Sequence, residues 1–225
     1  MLNFYFYSKD ELHRLLLHIG KGLKYIHSRQ LVHLDIKPGN ILLALEHDLD
    51  AVLFNTSTDS GAASGDASAS LSSQTPCTIR YKIGDLGHMA PIQGDLSPTE
   101  GDCRYMAPEF LQMESVNAIF LAKDDVFSTG MTLYEAASLQ PLLRNSEDSP
   151  SYEKLLPYLP NYSKKYSSLL RSLVYKDPAR RIPSAKLVSN HLINPLASKS
   201  KTQLWRELHQ TKVRLAELEK KVGSG

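Results

Sequence analysis

Three residues in one short run have the types and spacing for handling a phosphoryl group. They are Asp35, Lys37 and Asn40, within His33-Leu-Asp-Ile-Lys-Pro-Gly-Asn40. A carboxylate can accept the hydrogen bond of an attacking hydroxyl, and an Asn five residues on can turn back to hold a metal ion on the phosphates. A lysine two residues after the Asp can reach the transferred group as a point charge. A surface loop with a chance His-x-Asp looks the same in isolation, so the run gains meaning only from what surrounds it.

The elements that must position this run are legible on both sides. Ser8 with Glu11 three residues later forms a capping box, and Leu12, Leu15, Leu16, Ile19, Leu23 and Ile26 follow at helical spacing. This predicts an amphipathic helix over 8–28. His13, His18 and His27 lie on it and read as surface or packing residues, because no metal-ligand spacing recurs. Leu31-Val32 is a short strand delivering the run, and Ile41 to Leu45 a second strand leading away. Residues 124–138 are apolar on most faces and predict a buried central helix. Tyr166 to Tyr175 predicts another amphipathic helix, ended by Asp177-Pro178, and a last short helix starts around Ala179.

Composition bounds the rest. The chain has 225 residues, 42% of them hydrophobic, and a formal charge of +2, which gives no electrostatic case for nucleic acid or a membrane surface. Cys77 and Cys103 make neither a metal spacing nor a disulfide framework, so a reducing compartment is expected. No apolar run approaches the ~18 residues of a membrane span, and Met1 to Tyr7 lacks the basic start of a signal peptide. An intracellular protein that is not secreted is expected. Residues 46–78 are rich in Ser, Ala, Gly and Thr, with five acids and no Lys or Arg. Such a segment buries too little apolar surface to offset its ordering entropy, which predicts a disordered insertion. In the tail, Leu204, Leu208, Thr211, Leu215, Leu218 and Val222 follow a heptad spacing, and between Lys199 and Lys221 seven basic residues face three acids. A helix laid back on its own lobe is favoured there over weak coiled-coil self-association.

Two further markers stand in order after the first run: Lys82-Ile-Gly-Asp85-Leu-Gly-His88, and Ala107-Pro-Glu109. Together the three resemble a protein kinase's catalytic loop, metal-binding Asp-x-Gly and the close of its activation segment. Asp-Leu-Gly-His, Glu100-Gly-Asp-Cys-Arg104, Gly22-Leu-Lys-Tyr-Ile-His-Ser28, the low-complexity insertion and the basic tail resemble most closely the Wee kinases, mitotic inhibitors of cyclin-dependent kinases. The resemblance runs from residue 8 to about residue 221.

That resemblance implies a fold that is mainly α with short β-strands: a large kinase lobe over 1–195, with 46–78 as insertion, followed by a basic helix over 196–225. It implies Asp35 as catalytic base, Lys37 as a phosphate contact, and Asn40 and Asp85 as ligands of Mg2+, with ATP as the phosphoryl donor. His33 would support the loop, Asp125 would hold its backbone, and Glu109 with Arg181 would form a buried ion pair. A cyclin-dependent kinase–cyclin complex would be the protein substrate, modified on tyrosine in the nucleus. Asp35-x-Lys37 taken alone looks like a Ser/Thr kinase loop.

Two departures bear on activity. Leu34 stands where many kinases carry an Arg for a phosphorylated activation loop, so activity independent of such phosphorylation is expected. No Gly-rich loop, strand Lys and helix Glu precede residue 8, and Gly20-Lys-Gly22 is expected inside a helix, so the small lobe is expected to be absent and the chain alone inactive. The alternatives are a non-catalytic binding module and a membrane-associated Myt-type relative; Asp-Leu-Gly-His and the tail without a membrane segment count against the latter.

Overall fold

In the computed structural model the described residues are 8–47, 77–93, 101–111, 118–142, 159, 161–197 and 199–222. The first element, α1 (Lys9–Ser28), has Ser8 as its N-cap, whose hydroxyl accepts from the Glu11 N–H at 3.1 Å. Glu11 does not complete the expected capping box. Its carboxylate instead accepts from the Tyr81 hydroxyl and meets Arg14 at 3.2 Å. A side chain from elsewhere in the fold has taken the place of a local partner. The apolar face of α1 is buried as its periodicity predicts, from Leu12 to Ile26.

Strand β1 (Leu31–Val32) pairs antiparallel with β4 (Ala90–Pro91). Strand β2 (Ile41–His47) pairs antiparallel with β3 (Cys77–Ile83), from Ile41 opposite Ile83 to His47 opposite Cys77. This corrects the expected insertion at both ends: Glu46, His47, Cys77 and Thr78 belong to paired strands. The pairing rests on backbone hydrogen bonds, which composition does not register. Polar side chains reinforce it, since Glu46 meets Arg80 and, at 3.2 Å, Lys82. The remaining expectation for the insertion lies outside the described residues. Two 3-10 turns, Pro38–Asn40 and Leu86–His88, flank the hairpin.

The short helix α2 (Pro108–Leu111) precedes α3 (Ala118–Ser138), which starts earlier than the apolar run suggested. Leu121, Val126, Phe127, Met131 and Leu133 of α3 are each no more than 1% exposed. Next come α4 (Lys164–Leu173), a 3-10 turn at Pro178–Arg180, and α5 (Ser184–Val188). Around α3 gather α1, β1 and α4, while α1 also packs on β3 and α5. Gly22 marks the closest approach of α1 to the hairpin, because a Cβ there would lie 2.8 Å from the Ile83 Cδ1. Gly20 and Gly22 both sit within this helix, as expected. The architecture is mainly helical with short strands.

The last element, α6 (Lys201–Val222), overturns one expectation. No residue of it is buried, so it is not laid back on the lobe. Its polar faces are too extensive, and its apolar seam too narrow, to compete for a place on the core.

Candidate active site

The run His33 to Asn40 is held by α3. Asp125, whose side chain is wholly buried, accepts from the His33 N–H at 2.9 Å and the Leu34 N–H at 2.8 Å. Its Oδ2 also meets the His27 Nε2 at 2.9 Å, and the other ring nitrogen of His27 lies 2.9 Å from the Ser184 hydroxyl. One carboxylate thus ties together α1, α3 and the loop. The double backbone clamp has a conformational consequence. Leu34 has φ 65°, a left-handed conformation that costs a branched residue of order 1 kcal/mol or more and persists only where the surroundings enforce it. The Leu34 side chain is buried in the core.

His33 joins this loop to the Asp85 turn. Its Nε2 lies 3.0 Å from the Gly84 carbonyl, and its Nδ1 accepts the Asp35 N–H at 3.3 Å. A carbonyl only accepts and an N–H only donates, so the tautomer carrying its proton on Nε2 serves both contacts. The Gly84 N–H in turn donates to the Asn40 carbonyl at 2.8 Å.

Asp35 is 5% exposed, and its charge is answered on two sides. Lys37 Nζ lies 2.7 Å from its Oδ2, and the Asn40 amide donates to the same oxygen at 2.7 Å and to the Asp35 carbonyl at 2.8 Å. With its amide nitrogen engaged on Asp35, Asn40 has its side-chain oxygen left as an acceptor. Asp85 is exposed, adopts φ 55°, and accepts from the Gly87 N–H at 3.4 Å. Asp35, Asp85 and His88 each bring one ligand atom within 4.8 Å of the others. The Asp85 carboxylate and the Asn40 side-chain oxygen are hard-oxygen donors of the kind Mg2+ takes, with the Asp35 carboxylate close to both residues. The residues present therefore fit that ion.

The segment after Asp85 packs directly on the loop: a Cβ on Gly101 would lie 3.4 Å from the Leu34 carbonyl oxygen. Arg104 grips Asp102 with its guanidinium, the closest contact at 2.6 Å, and that hydrogen bonding lowers the Asp102 pKa. The Tyr105 hydroxyl donates to buried Glu135, its carbonyl accepts from the Ser128 hydroxyl, and its burial pushes the phenol pKa up. The Ala107 N–H donates to Asp124 at 2.8 Å. Burial, helped by the neighbouring Asp125 charge and opposed by the Ala107 hydrogen bond, pushes the Asp124 pKa up to about 8. Its second oxygen is buried without a hydrogen-bond partner, which suits a protonated carboxyl better than a carboxylate. Glu109 and Arg181 form a two-pronged ion pair at 2.5 and 2.8 Å. Arg181 also donates to the Tyr175 carbonyl and stacks over Phe127 with 4.8 Å between guanidinium and ring centre.

His33, Asp35, Lys37, Asn40 and Asp85 thus converge, with Asp125 behind them and the Glu109–Arg181 pair anchoring the later segment. The sequence reading missed Asp124, His27, His88 and Glu135 as parts of this network. A doubled Asp in an apolar helix was a signal for Asp124. No spacing signal marked His27 or Glu135, whose partners lie 98 and 30 residues away.

The family model described as Protein kinase domain matches residues 3–193. The chain belongs to the protein kinase family. Within it the chain is a Wee kinase family member, similar to Wee1-like protein kinase 2 of Danio rerio, 38% identical over 224 residues covering 96% of this chain and 38% of that protein. It is also similar to Wee1-like protein kinase of Drosophila melanogaster, 36% identical over 208 residues, 89% of this chain and 33% of that protein. Wee1-like protein kinase 2 of Xenopus tropicalis is 36% identical over 221 residues, 96% of this chain and 36% of that protein. The chain therefore spans between a third and two-fifths of the length of these curated relatives. Among the described residues no helix is long and apolar enough to cross a membrane.

Proposed function

We propose that this chain is the large lobe of a Wee-type kinase that moves the γ-phosphoryl of ATP to an inhibitory tyrosine of a cyclin-dependent kinase in the nucleus. The observation that carries the reading is the buried carboxylate of Asp35, held between Lys37 and Asn40 and next to Asp85. In the transfer, the bond between the γ-phosphorus and its bridging oxygen breaks while the tyrosyl oxygen bonds to phosphorus. The phenolic proton passes to Asp35. Lys37 meets the charge of the phosphoryl group, and His33 and Asp125 keep the loop in place. Asp85 and the Asn40 side-chain oxygen would hold Mg2+, which when bound neutralises charge on the phosphates.

Leu34 is packed in the core and offers no guanidinium fork, which supports activity without a phosphate on the activation segment. The 225 residues contain no Gly-rich phosphate cover. A general base alone contributes ~10²–10⁴-fold, so the chain by itself is expected to transfer no measurable phosphate. Exposed Leu42, Leu43 and Leu45 on β2, with Tyr25 and Leu86 nearby in sequence to the site elements, fit a surface made to be covered by a small lobe.

The test is label transfer from ATP to a cyclin-dependent kinase–cyclin complex, by the chain alone and by the chain fused behind a Wee-type small lobe. Only the fusion should label its substrate, on tyrosine, and Asp35→Asn should abolish that labelling. Label on serine or threonine would reject the tyrosine reading. A folded fusion that binds the complex without labelling it would favour a non-catalytic binding module.

A further inference from the structure

Helix α6 carries an apolar seam that its own chain leaves uncovered. Trp205, Leu208, Leu215, Leu218 and Val222 are between 50% and 83% exposed, and no residue of the helix is buried. The seam residues Leu204, Leu208, Thr211, Leu215, Leu218 and Val222 alternate between the d and a positions of a heptad. Thr211 is the one polar residue among them, and its hydroxyl is satisfied within the helix by the Glu207 carbonyl at 2.8 Å. It can therefore enter an apolar interface without leaving a donor unpaired.

The flanking charges decide what could cover this seam. The g positions hold Glu207, Arg214 and Lys221, the e positions hold Trp205, Lys212 and Glu219, and Lys212 and Glu219 lie five residues after Glu207 and Arg214. In two parallel, in-register copies each g residue faces the e residue of the next heptad on the other helix. Glu207 then meets Lys212 and Arg214 meets Glu219, each pair occurring twice by symmetry, always with opposite signs. A fully overlapping antiparallel pair instead sets Arg214 against Arg214 and Lys212 against Lys212, with Glu207 against Lys221 as its attractive contact, whereas every charged pair of the parallel form is attractive. Glu207 already accepts Lys199 of its own chain at 2.6 Å but keeps half its side-chain surface exposed, leaving room for a second cation.

We propose that α6 pairs with the α6 of a second copy of this chain as a parallel, in-register, two-stranded coiled coil. The proposal stands on the helix alone and does not rest on the kinase reading. A helix of 22 residues supplies about three heptads, so the association is weak and reversible. Its effect would be to bring two copies of this chain side by side.

Sedimentation equilibrium of the whole 225-residue chain tests this, with two charge-reversed variants. One carries Glu207→Lys with Arg214→Glu, the other Lys212→Glu with Glu219→Lys. All four positions are exposed, so circular dichroism should show both variants folded. The unsubstituted chain should show a monomer–dimer equilibrium, and each variant alone should associate about tenfold more weakly or worse, since every flanking pair becomes like-charged. An equimolar mixture of the two should recover the dimer, because the reversed g residues of one then face the reversed e residues of the other. A chain monomeric at its highest soluble concentration overturns the proposal. So does a dimer indifferent to the reversals, or variants that fail to rescue each other.

Discussion

Helices α3 and α6 are nearly equal in length, 21 and 22 residues, and meet opposite fates. The first is wrapped by the fold, and even its charged groups Asp124, Asp125 and Glu135 are buried. The second has no buried residue. An all-round apolar helix must be covered to be stable in water, and once covered it becomes the rigid post on which polar groups can be aimed. A helix with a narrow seam and charged flanks can stay in water until a matching surface arrives. The charges on α3 therefore organise the site, whereas those on α6 bear on partner choice.

The comparison is tested most severely where a buried charge loses its partner. Glu109→Ala leaves Arg181, 1% exposed, without its carboxylate, and should cost about 3–5 kcal/mol in urea unfolding. A loss under about 1 kcal/mol would mean that the pair is hydrated or loosely held.

A second effect, spread over several pH units, is expected from titration. The Asp124 pKa rises from the ordinary 3.8 to about 8 in the folded chain. The folded state then holds a proton that the unfolded state releases, so this group's contribution is full below about pH 4 and is lost as pH rises through about 8. The urea midpoint of the unsubstituted chain should fall across that window more than that of Asp124→Asn, which keeps a hydrogen-bond acceptor without a charge. Parallel curves would show that Asp124 is ionised throughout.

The smallest effect belongs to α6. Val213 is 47% exposed and lies outside the seam, so Val213→Ala should change stability by no more than about 0.5 kcal/mol. A larger loss in thermal unfolding would place this face of α6 against something in the folded protein.

Much of this protein was legible because its signals are local. Ser8, the spaced leucines of α1 and the order of the three motifs depend on neighbours within a few residues or on fixed spacing. The ends of the hairpin were misread because Glu46 pairs with Thr78 and His47 with Cys77 through their backbones, and backbone hydrogen bonding leaves no mark on composition. The tail was misplaced for a related reason: periodicity shows that α6 has an apolar seam but not what lies against it.

The sequence by itself determined the existence of the longer helices, the buried central element and the residue types at Asp35, Lys37, Asn40 and Asp85. It did so because periodicity and motif spacing are properties of the chain. Only the tertiary structure decided that Asp125 would clamp two backbone N–H groups and hold Leu34 at φ 65°. Only it could bring His27 to Asp125 and Glu11 to Tyr81, and strand Asp124 with one oxygen unpaired. Those contacts join residues up to 98 positions apart, and their geometry exists only after the core has closed around them.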